Sequence, residues 1–337
     1  MRFFDTVFAE KKVALDALDK KILAELARNA RSSQSAIAKR IHTSRDTVNY
    51  RVANLKKSGV LQAFRTVVNI AQFGFLNMHV FLQLKQPTKE VFAALVKKLK
   101  EYPYVRAIIQ FNGKYDLELA LVAKDIYECD KVVGEVCNAC ADVLQNVEVL
   151  FITKTLAAHT FPKSFVSCEF AQEQKKSKEE THLDRIDIEI LELLAEHADI
   201  PIYRIAQQVG LSADAVTYRV KKLQKSEYIL GYVPAVNYAL INYQVHAILI
   251  RTTNMTRKDE AAVEEFVRTN KDVLWAVKML GKYQLLFYIC TQKLDDFLKT
   301  TEDIRSLLTN KISDYETLVN FEEYKYTYLP KGLLEKK

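Results

Sequence analysis

The sequence is poor in the residues that interrupt regular structure, with 8 glycines and 6 prolines among 337 residues. This scarcity excludes collagen-like and low-complexity chains. No run of about 18 apolar residues is present, so no membrane partner is expected, and the N-terminus lacks the apolar segment of a secretory signal. Five cysteines, an odd number, argue against a disulfide framework. The composition therefore favours a globular, cytoplasmic protein.

Motifs that carry catalytic or metal chemistry are also missing. The sequence contains no phosphate-binding loop, nucleophile elbow or dinucleotide fingerprint. The 6 histidines are dispersed, and Cys137 and Cys140 form a single CxxC without a second pair. Zinc needs four ligands in compatible spacing, so packing explains these cysteines better. We expect neither a metal nor another cofactor.

A duplicated segment organises the chain. SRDTVNYRVANLKKS at 44–58 returns as SADAVTYRVKKLQKS at 212–226, an offset of 168 residues. Gly-Lys-Tyr at 113–115 and 281–283, and Pro-Lys at 162–163 and 330–331, repeat at the same offset. A constant offset over these landmarks predicts two copies of one domain pair.

The duplicated segment has the pattern of a recognition helix. Ser44 is suited to cap its start, and Val48, Val52 and Leu55 form one apolar stripe. The opposite face is polar and aromatic, which suits a DNA major groove but is also typical of an ordinary solvated helix. The residues predicted to contact DNA are Ser44, Arg45, Asp46, Thr47, Asn49, Tyr50, Lys56, Lys57 and Arg65 in the first copy, and Thr217, Tyr218, Lys221 and Lys222 in the second.

Arg51 and Arg219 lie on the shoulder of this helix, where two roles are open. Each could contact a DNA phosphate. Alternatively, each could pair internally with an aspartate of the first helix, Asp19 or Asp187, since both partners recur together. We favour the internal pair, because partly buried arginines are usually paired.

The order of apolar patterns predicts an α+β fold. Two winged helix-turn-helix domains, at 1–75 and 183–243, alternate with two ferredoxin-like βαββαβ domains, at 76–163 and 244–337. Residues 164–182 are polar and without periodicity, and we interpret them as a linker. A four-stranded sheet with helices on one face leaves its other face needing cover, so the two α/β domains should associate, within a chain or between chains.

Charge separates the two helix-turn-helix domains. Basic residues outnumber acidic ones by 11 to 3 in residues 18–75 but are outnumbered 5 to 7 in residues 186–243. Non-specific DNA affinity follows the number of phosphates neutralised. The first domain should therefore dominate DNA binding.

These motifs together resemble the Lrp/AsnC family of prokaryotic transcription regulators. The resemblance rests on Leu-Asp-x-x-Ile-Leu at 18–23, Ile-Ala at 37–38, T-V-x-x-R-V-x-x-L at 47–55 and the Gly-Lys-Tyr hairpin, each with a counterpart in the second copy. It implies an α/β domain of the RAM type, double-stranded DNA as partner, and a small effector such as an amino acid. The effector residues that it implies are Gly113, Tyr115, Asp116, Gly281 and Tyr283. Members usually carry one copy, and this tandem chain departs from that pattern.

Two rival functions remain. Siroheme decarboxylases are similar in architecture, and that resemblance would require a cluster of histidine, tyrosine and arginine near the second strand of the α/β domain. Residues 105–111 and 273–277, which form that strand in the two copies, contain no histidine, so we expect no enzyme. An assembly protein whose helix-turn-helix units bind other proteins is the third possibility.

Overall fold

A computed structural model of the chain describes residues 12–166 and 182–334. The predicted lead-in at 1–11 and most of the predicted linker lie outside the described residues. The helices are α1 Ala17–Arg28, α2 Gln34–Arg40, α3 Arg45–Lys57, α4 Lys89–Glu101, α5 Ile126–Ala139, α6 Arg185–Glu196, α7 Ile202–Val209, α8 Ala213–Lys225, α9 Arg257–Thr269 and α10 Leu294–Leu307. The strands are β1 Leu61–Val68, β2 Leu76–Leu84, β3 Val105–Asn112, β4 Leu117–Ala123, β5 Leu144–Ala158, β6 Ile229–Val236, β7 Gln244–Thr252, β8 Val273–Leu280, β9 Leu285–Thr291 and β10 Ile312–Tyr326. Both copies therefore follow the order predicted from the sequence, and the α+β class is confirmed.

Side-chain caps explain where the helices of the helix-turn-helix units begin. The hydroxyl of Ser44 accepts the backbone N–H of Thr47 at 3.0 Å, so α3 starts as predicted. Ser212 caps α8 in the same way, through Ala215 at 3.2 Å. The first helix of each copy starts with a capping box, in which Asp16 is the cap of α1. These contacts satisfy orphan backbone donors within one turn, which is why the local sequence could predict the cap at Ser44.

The predicted wings are not separate hairpins. Each helix-turn-helix unit contributes one strand after its recognition helix, and β1 pairs antiparallel with β6 of the other unit. We call this pair the wing sheet. A lone strand leaves its backbone groups without partners, and pairing between copies satisfies them. The predicted wing of each unit is therefore a single strand that pairs with the wing strand of the other unit.

The first helix of each unit packs on the strand of the other. The backbone N–H of Ala30, after α1, donates to Tyr232 O on β6 at 2.9 Å. The hydroxyl of Thr66 on β1 donates to Leu194 O of α6 at 2.5 Å. The two helix-turn-helix units therefore form one interlocked body.

The eight remaining strands form a closed barrel in the order β10-β3-β4-β2-β5-β8-β9-β7. Four consecutive strands come from each copy, and the copies join at two equivalent edges, β5 with β8 and β10 with β3. The predicted association of the two α/β domains thus occurs within the chain. Edge pairing removes exposed strand edges and encloses the inner face of both sheets.

Residues alternate between the barrel interior and the covering helices, as the pleat of a strand requires. On β4, Leu117, Leu119 and Leu121 pack under α4 and α5. Glu118 and Ala120, between them, point to the interior. One apolar core is continuous through the barrel interior and both helix-turn-helix units, so the inner face of the barrel also supports the wing sheet.

Candidate functional site

The recognition helices α3 and α8 present the faces that the sequence predicts. Val48, Val52 and Leu55 are buried against the rest of the first unit. On the opposite face, Tyr50 is 66% exposed, and Tyr218, its counterpart on α8, is 71% exposed. Both helices therefore offer an unoccupied outer surface.

Most predicted DNA-contacting residues lie on these outer faces. The exposed ones are Ser44, Arg45, Asp46, Tyr50, Lys56, Lys57, Tyr218 and Lys221, while Thr47, Asn49 and Thr217 are half-buried. The hydroxyl of Thr217 donates to Ala213 O at 2.8 Å, so it is partly used within its helix. The remaining polar atoms of the set form one strip along each helix.

Three predicted contacts are placed differently from the expectation. Lys222 donates to the carboxylate of Asp187 at 3.2 Å, so its charge is used inside the second unit. Lys56 lies 3.4 Å from Asp199 of the other unit, so its charge is shared with that carboxylate. Arg65 is half-buried on β1, with its Nε buried, because the wing strand lies between the units.

Arg51 and Arg219 form the internal pairs that we favoured. Nη1 of Arg219 donates to Asp184 and to Asp187, both at 2.7 Å, and Asp187 has no exposed surface. Arg51 binds Asp16 at 2.7 Å and Asp19 at 3.3 Å. The hydrogen bond to Asp184, followed by that to Asp187, raises the pKa of Arg219. The prediction of an internal pair is confirmed.

The two Gly-Lys-Tyr hairpins are pressed against the opposite copy. Gly113 has φ +151°, and a Cβ there would lie 2.8 Å from the side chain of Leu318 on β10. Gly281 meets Leu150 of β5 in the same way. Tyr115 and Tyr283 have no exposed surface. A ligand could contact these tyrosines only by displacing packed side chains.

Asp116, predicted to hold an ammonium group, has a structural partner. Its carboxylate accepts the backbone N–H of Leu84 at 2.7 Å. Gln284 accepts the N–H of Thr252, the equivalent residue, at 2.8 Å. Burial raises the pKa of Asp116 above its usual value. The shared role explains why aspartate and glutamine are interchangeable at this position.

A polar pocket that the sequence did not reveal lies where the barrel interior meets the wing sheet. Its volume is about 150 Å³. Nδ1 of His79 lies against one carboxylate oxygen of Glu118, and the hydroxyl of Tyr288 donates to the other. Arg106 also lines the pocket and donates from Nη1 to Asn77 Oδ1 at 3.2 Å. We call this site the interior pocket.

The interior pocket corrects one sequence argument. The second strand of each α/β domain carries no histidine, yet β2 brings His79 into the same pocket as Arg106 of β3. The β2–β4–β3 order makes them neighbours of one pocket. A strand considered alone does not show that His79 and Arg106 share a pocket. The alternation of Asn77 and His79 with apolar residues on β2 did indicate that both point to the same face of the sheet.

Neither a metal site nor a membrane span is evident in the described part of the chain. No group of three or more His, Cys, Asp or Glu residues there could hold a metal ion. Among the helices described, none is long and apolar enough to cross a membrane.

Comparison with known proteins identifies both helix-turn-helix units. The family described as winged helix-turn-helix DNA-binding matches residues 15–62, and the AsnC-type helix-turn-helix domain matches residues 183–224. The HTH-type transcriptional regulator Ptr1 of Methanocaldococcus jannaschii is 31% identical over 121 residues, which are 36% of this chain and 80% of that protein. The regulatory protein AsnC of Haemophilus influenzae is 24% identical over 136 residues, 40% of this chain and 89% of AsnC.

A solved structure matches the whole tandem arrangement. The siroheme decarboxylase NirDL has a TM-score of 0.62 at 13% identity, with 93% of each chain covered. At that identity the likeness concerns the fold alone. The relatives in sequence, by contrast, align with most of their own length and well under half of this chain, as expected for one copy. The chain therefore belongs to the Lrp/AsnC family of helix-turn-helix transcriptional regulators, in a tandem form that carries the family's architecture twice.

Proposed function

We propose that the chain is a sequence-specific DNA-binding transcriptional regulator that applies α3 and α8 to one duplex. The observation that carries this proposal is the pair of exposed outer faces, centred on Tyr50 and Tyr218, on two units locked together by the wing sheet. A family dimer would present two such helices from two chains. Here a single chain supplies both.

The outer residues of α3 suit direct reading of bases. Arg45 stands in the first turn, and an arginine fork matches the major-groove edge of guanine. Asn49, one turn later, carries the amide that pairs with adenine. Tyr50 follows Asn49, and Lys57 lies at the far end of α3, where a hydroxyl and a cation would meet phosphates and set the register.

The second recognition helix presents different chemistry at the same positions. Ala213 stands where α3 has Arg45, and Thr217 stands where α3 has Asn49. Alanine and threonine methyl groups suit the methyl of thymine rather than a guanine edge. Operator symmetry mirrors protein symmetry. We therefore expect a site of two unlike half-sites rather than a palindrome.

Unbiased selection of DNA by the purified full chain, followed by sequencing, tests this proposal. One enriched, non-palindromic motif is the expected result. Tyr50→Ala should then weaken binding to the selected site about three- to tenfold, the effect of losing one net hydrogen bond. Tyr127→Ala is the matched control, because Tyr127 is 84% exposed on α5 of the barrel. A selection without enrichment, or equal binding by both variants, would contradict the proposal.

A siroheme-decarboxylase-like enzyme is the second candidate, favoured by the whole-chain likeness in fold to NirDL, which has also been solved with an iron-uroporphyrin III analogue. The histidine, arginine and tyrosine of the interior pocket add to it. Against it, a pocket of about 150 Å³ holds a single small ring, whereas a tetrapyrrole carries four linked rings and several acid side chains. We infer that the chain is not a decarboxylase. Addition of iron uroporphyrin should leave the Soret band as in buffer, and a shifted band with release of carbon dioxide would reverse the assignment.

A further inference from the structure

The interior pocket combines polar groups from one copy with aromatic groups from the other. His79, Arg106 and Glu118 come from β2, β3 and β4 of the first copy. Trp275 and Tyr288 come from β8 and β9 of the second, and the ring of His79 stacks on Trp275 with centroids 5.4 Å apart. The pocket therefore exists only because the barrel joins the two copies.

The duplication itself shows that these polar groups are not needed for folding. At the offset of 168 residues, the polar residues Asn77, His79, Arg106 and Glu118 correspond to Val245, Ala247, Leu274 and Leu286. The same barrel positions are thus filled by apolar residues in the second copy. Burying charged groups is unfavourable unless they are compensated. Their presence in one copy alone points to binding rather than to architecture.

The aromatic residues of the interior pocket show the complementary asymmetry. Trp275 and Tyr288 occupy positions where the first copy has Ala107 and Ala120. Those small residues also line the interior pocket and leave its space open. Within the described residues, the interior pocket is therefore composite, with its polar groups from one copy and its aromatic rings from the other.

Arg106 has the chemistry of an anion anchor. It is 7% exposed, and among the described residues no carboxylate lies within 4.0 Å of its guanidinium. Nη1 donates to Asn77, while Nε has no hydrogen-bond partner in the described part of the chain. The guanidinium also stands over the ring of Tyr326, 5.9 Å from its centroid. A buried guanidinium N–H without a partner is unfavourable until an acceptor occupies it.

The polar groups opposite Arg106 already contact one another. The hydroxyl of Tyr288 donates to one carboxylate oxygen of Glu118, and Nδ1 of His79 lies against the other. Among the described residues, the Nε of Arg106 has no such acceptor. A carboxylate matches the Nε and Nη2 edge of an arginine in two parallel hydrogen bonds. A volume of about 150 Å³ fits a single ring or a short chain behind that carboxylate.

We propose that the interior pocket binds one small planar monocarboxylate per chain, held by Arg106 and packed against Trp275 and Tyr288. The site is separate from the Gly-Lys-Tyr hairpins. Val67 of β1 and Val233 of β6 close one side of it. An occupant would therefore touch the wing sheet as well as the barrel, and its binding can be measured without DNA.

Calorimetric titration of the full chain with benzoate tests the proposal, with neutral benzamide as the probe control. Benzoate should bind with a stoichiometry of one and a Kd of about 1 mM or tighter. Benzamide should bind at least tenfold more weakly, because it cannot form the charged pair with Arg106. No binding of benzoate, equal binding of benzamide, or two sites per chain would overturn the proposal.

Arg106→Met removes the guanidinium and places a linear apolar side chain where the second copy has Leu274. It should weaken benzoate binding at least tenfold, and Arg106→Lys, which keeps the charge without the fork, should weaken it less. The matched control is Arg305→Met, because Arg305 also stands over a tyrosine ring, that of Tyr315, outside the pocket. It should bind as the wild type does. Unchanged binding by folded Arg106→Lys and Arg106→Met would refute the role of Arg106, whatever the outcome of DNA selection.

Discussion

Replacing His246 by methionine should make the protein less sensitive to acid. His246 lies on β7, is 5% exposed, and stacks on Phe297 of α10 with centroids 4.2 Å apart. Burial lowers the pKa of His246 from 6.5 to about 4. The equivalent residue of the first copy is Met78, which is fully buried. His246→Met therefore gives the second copy a side chain that this barrel position already accepts.

The direction of the change in stability with pH depends on whether the folded or the unfolded chain binds the proton more tightly. Above pH 6.5 the histidine is neutral in both the folded and the unfolded chain, so it adds no pH dependence. Between pH 6.5 and 4 the unfolded chain takes up a proton that the folded chain refuses, and the free energy of unfolding falls. One pKa unit corresponds to about 1.36 kcal/mol, so at pH 4.5 this residue lowers the free energy of unfolding by about 2 to 3 kcal/mol.

Urea unfolding of both proteins at pH 7.5 and pH 4.5 measures the effect. The wild type should lose about 2 to 3 kcal/mol more than His246→Met on acidification, since every other titrating group is shared. The measurement at pH 7.5 is the control, because there the two proteins differ only in packing. Equal losses in the two proteins would show that His246 is accessible to protons in the folded state.

Two further predictions concern the barrel and the DNA-binding surface. Gly113→Ala should lower the urea midpoint of unfolding, because the new Cβ would lie 2.8 Å from the side chain of Leu318 at a φ of +151°. Gly134→Ala is the control and should not lower it, because Gly134 lies in a helix and no atom is within 4 Å of the new Cβ. Similar midpoints for the two variants would contradict the close approach at Gly113. Lys57→Gln should reduce the slope of log K against log salt by up to about 0.9, more than Lys225→Gln at the equivalent position, because the first unit carries the basic surplus. Equal reductions would show that the two helices contribute alike.

Much of the DNA-binding surface could be predicted from single segments. The start of α3 at Ser44, its buried stripe and the exposed Tyr50 all depend on residues within one or two turns. The pairing of Arg51 with Asp19 was also within reach, since its two partners recur together in the second copy. The pairing of Lys222 with Asp187 could not be predicted in this way. The residue equivalent to Lys222 in the first copy is Asn54, so this pair does not recur.

The arrangement of the two copies followed from contacts that no local pattern encodes. The sequence showed one strand after each recognition helix, but its partner across the chain, β6 for β1, depends on docking of the two units. The Gly-Lys-Tyr hairpin was recognisable, yet its burial against the opposite copy came only with closure of the barrel. The predicted effector site there lost its accessible surface as a result.

The sequence by itself determined the duplication, the family, the order of helices and strands, and the face that each recognition helix turns outward. These properties depend on caps, periodicity and spacing, which act over a few residues. Only the tertiary structure decided the wing sheet, the closed barrel and the interior pocket. Arg106 and Tyr288 are 182 positions apart in the chain and line the same pocket because strand edges from two copies pair. Pairing over such separations is set by mutual burial of whole sheets, a property that no single segment possesses.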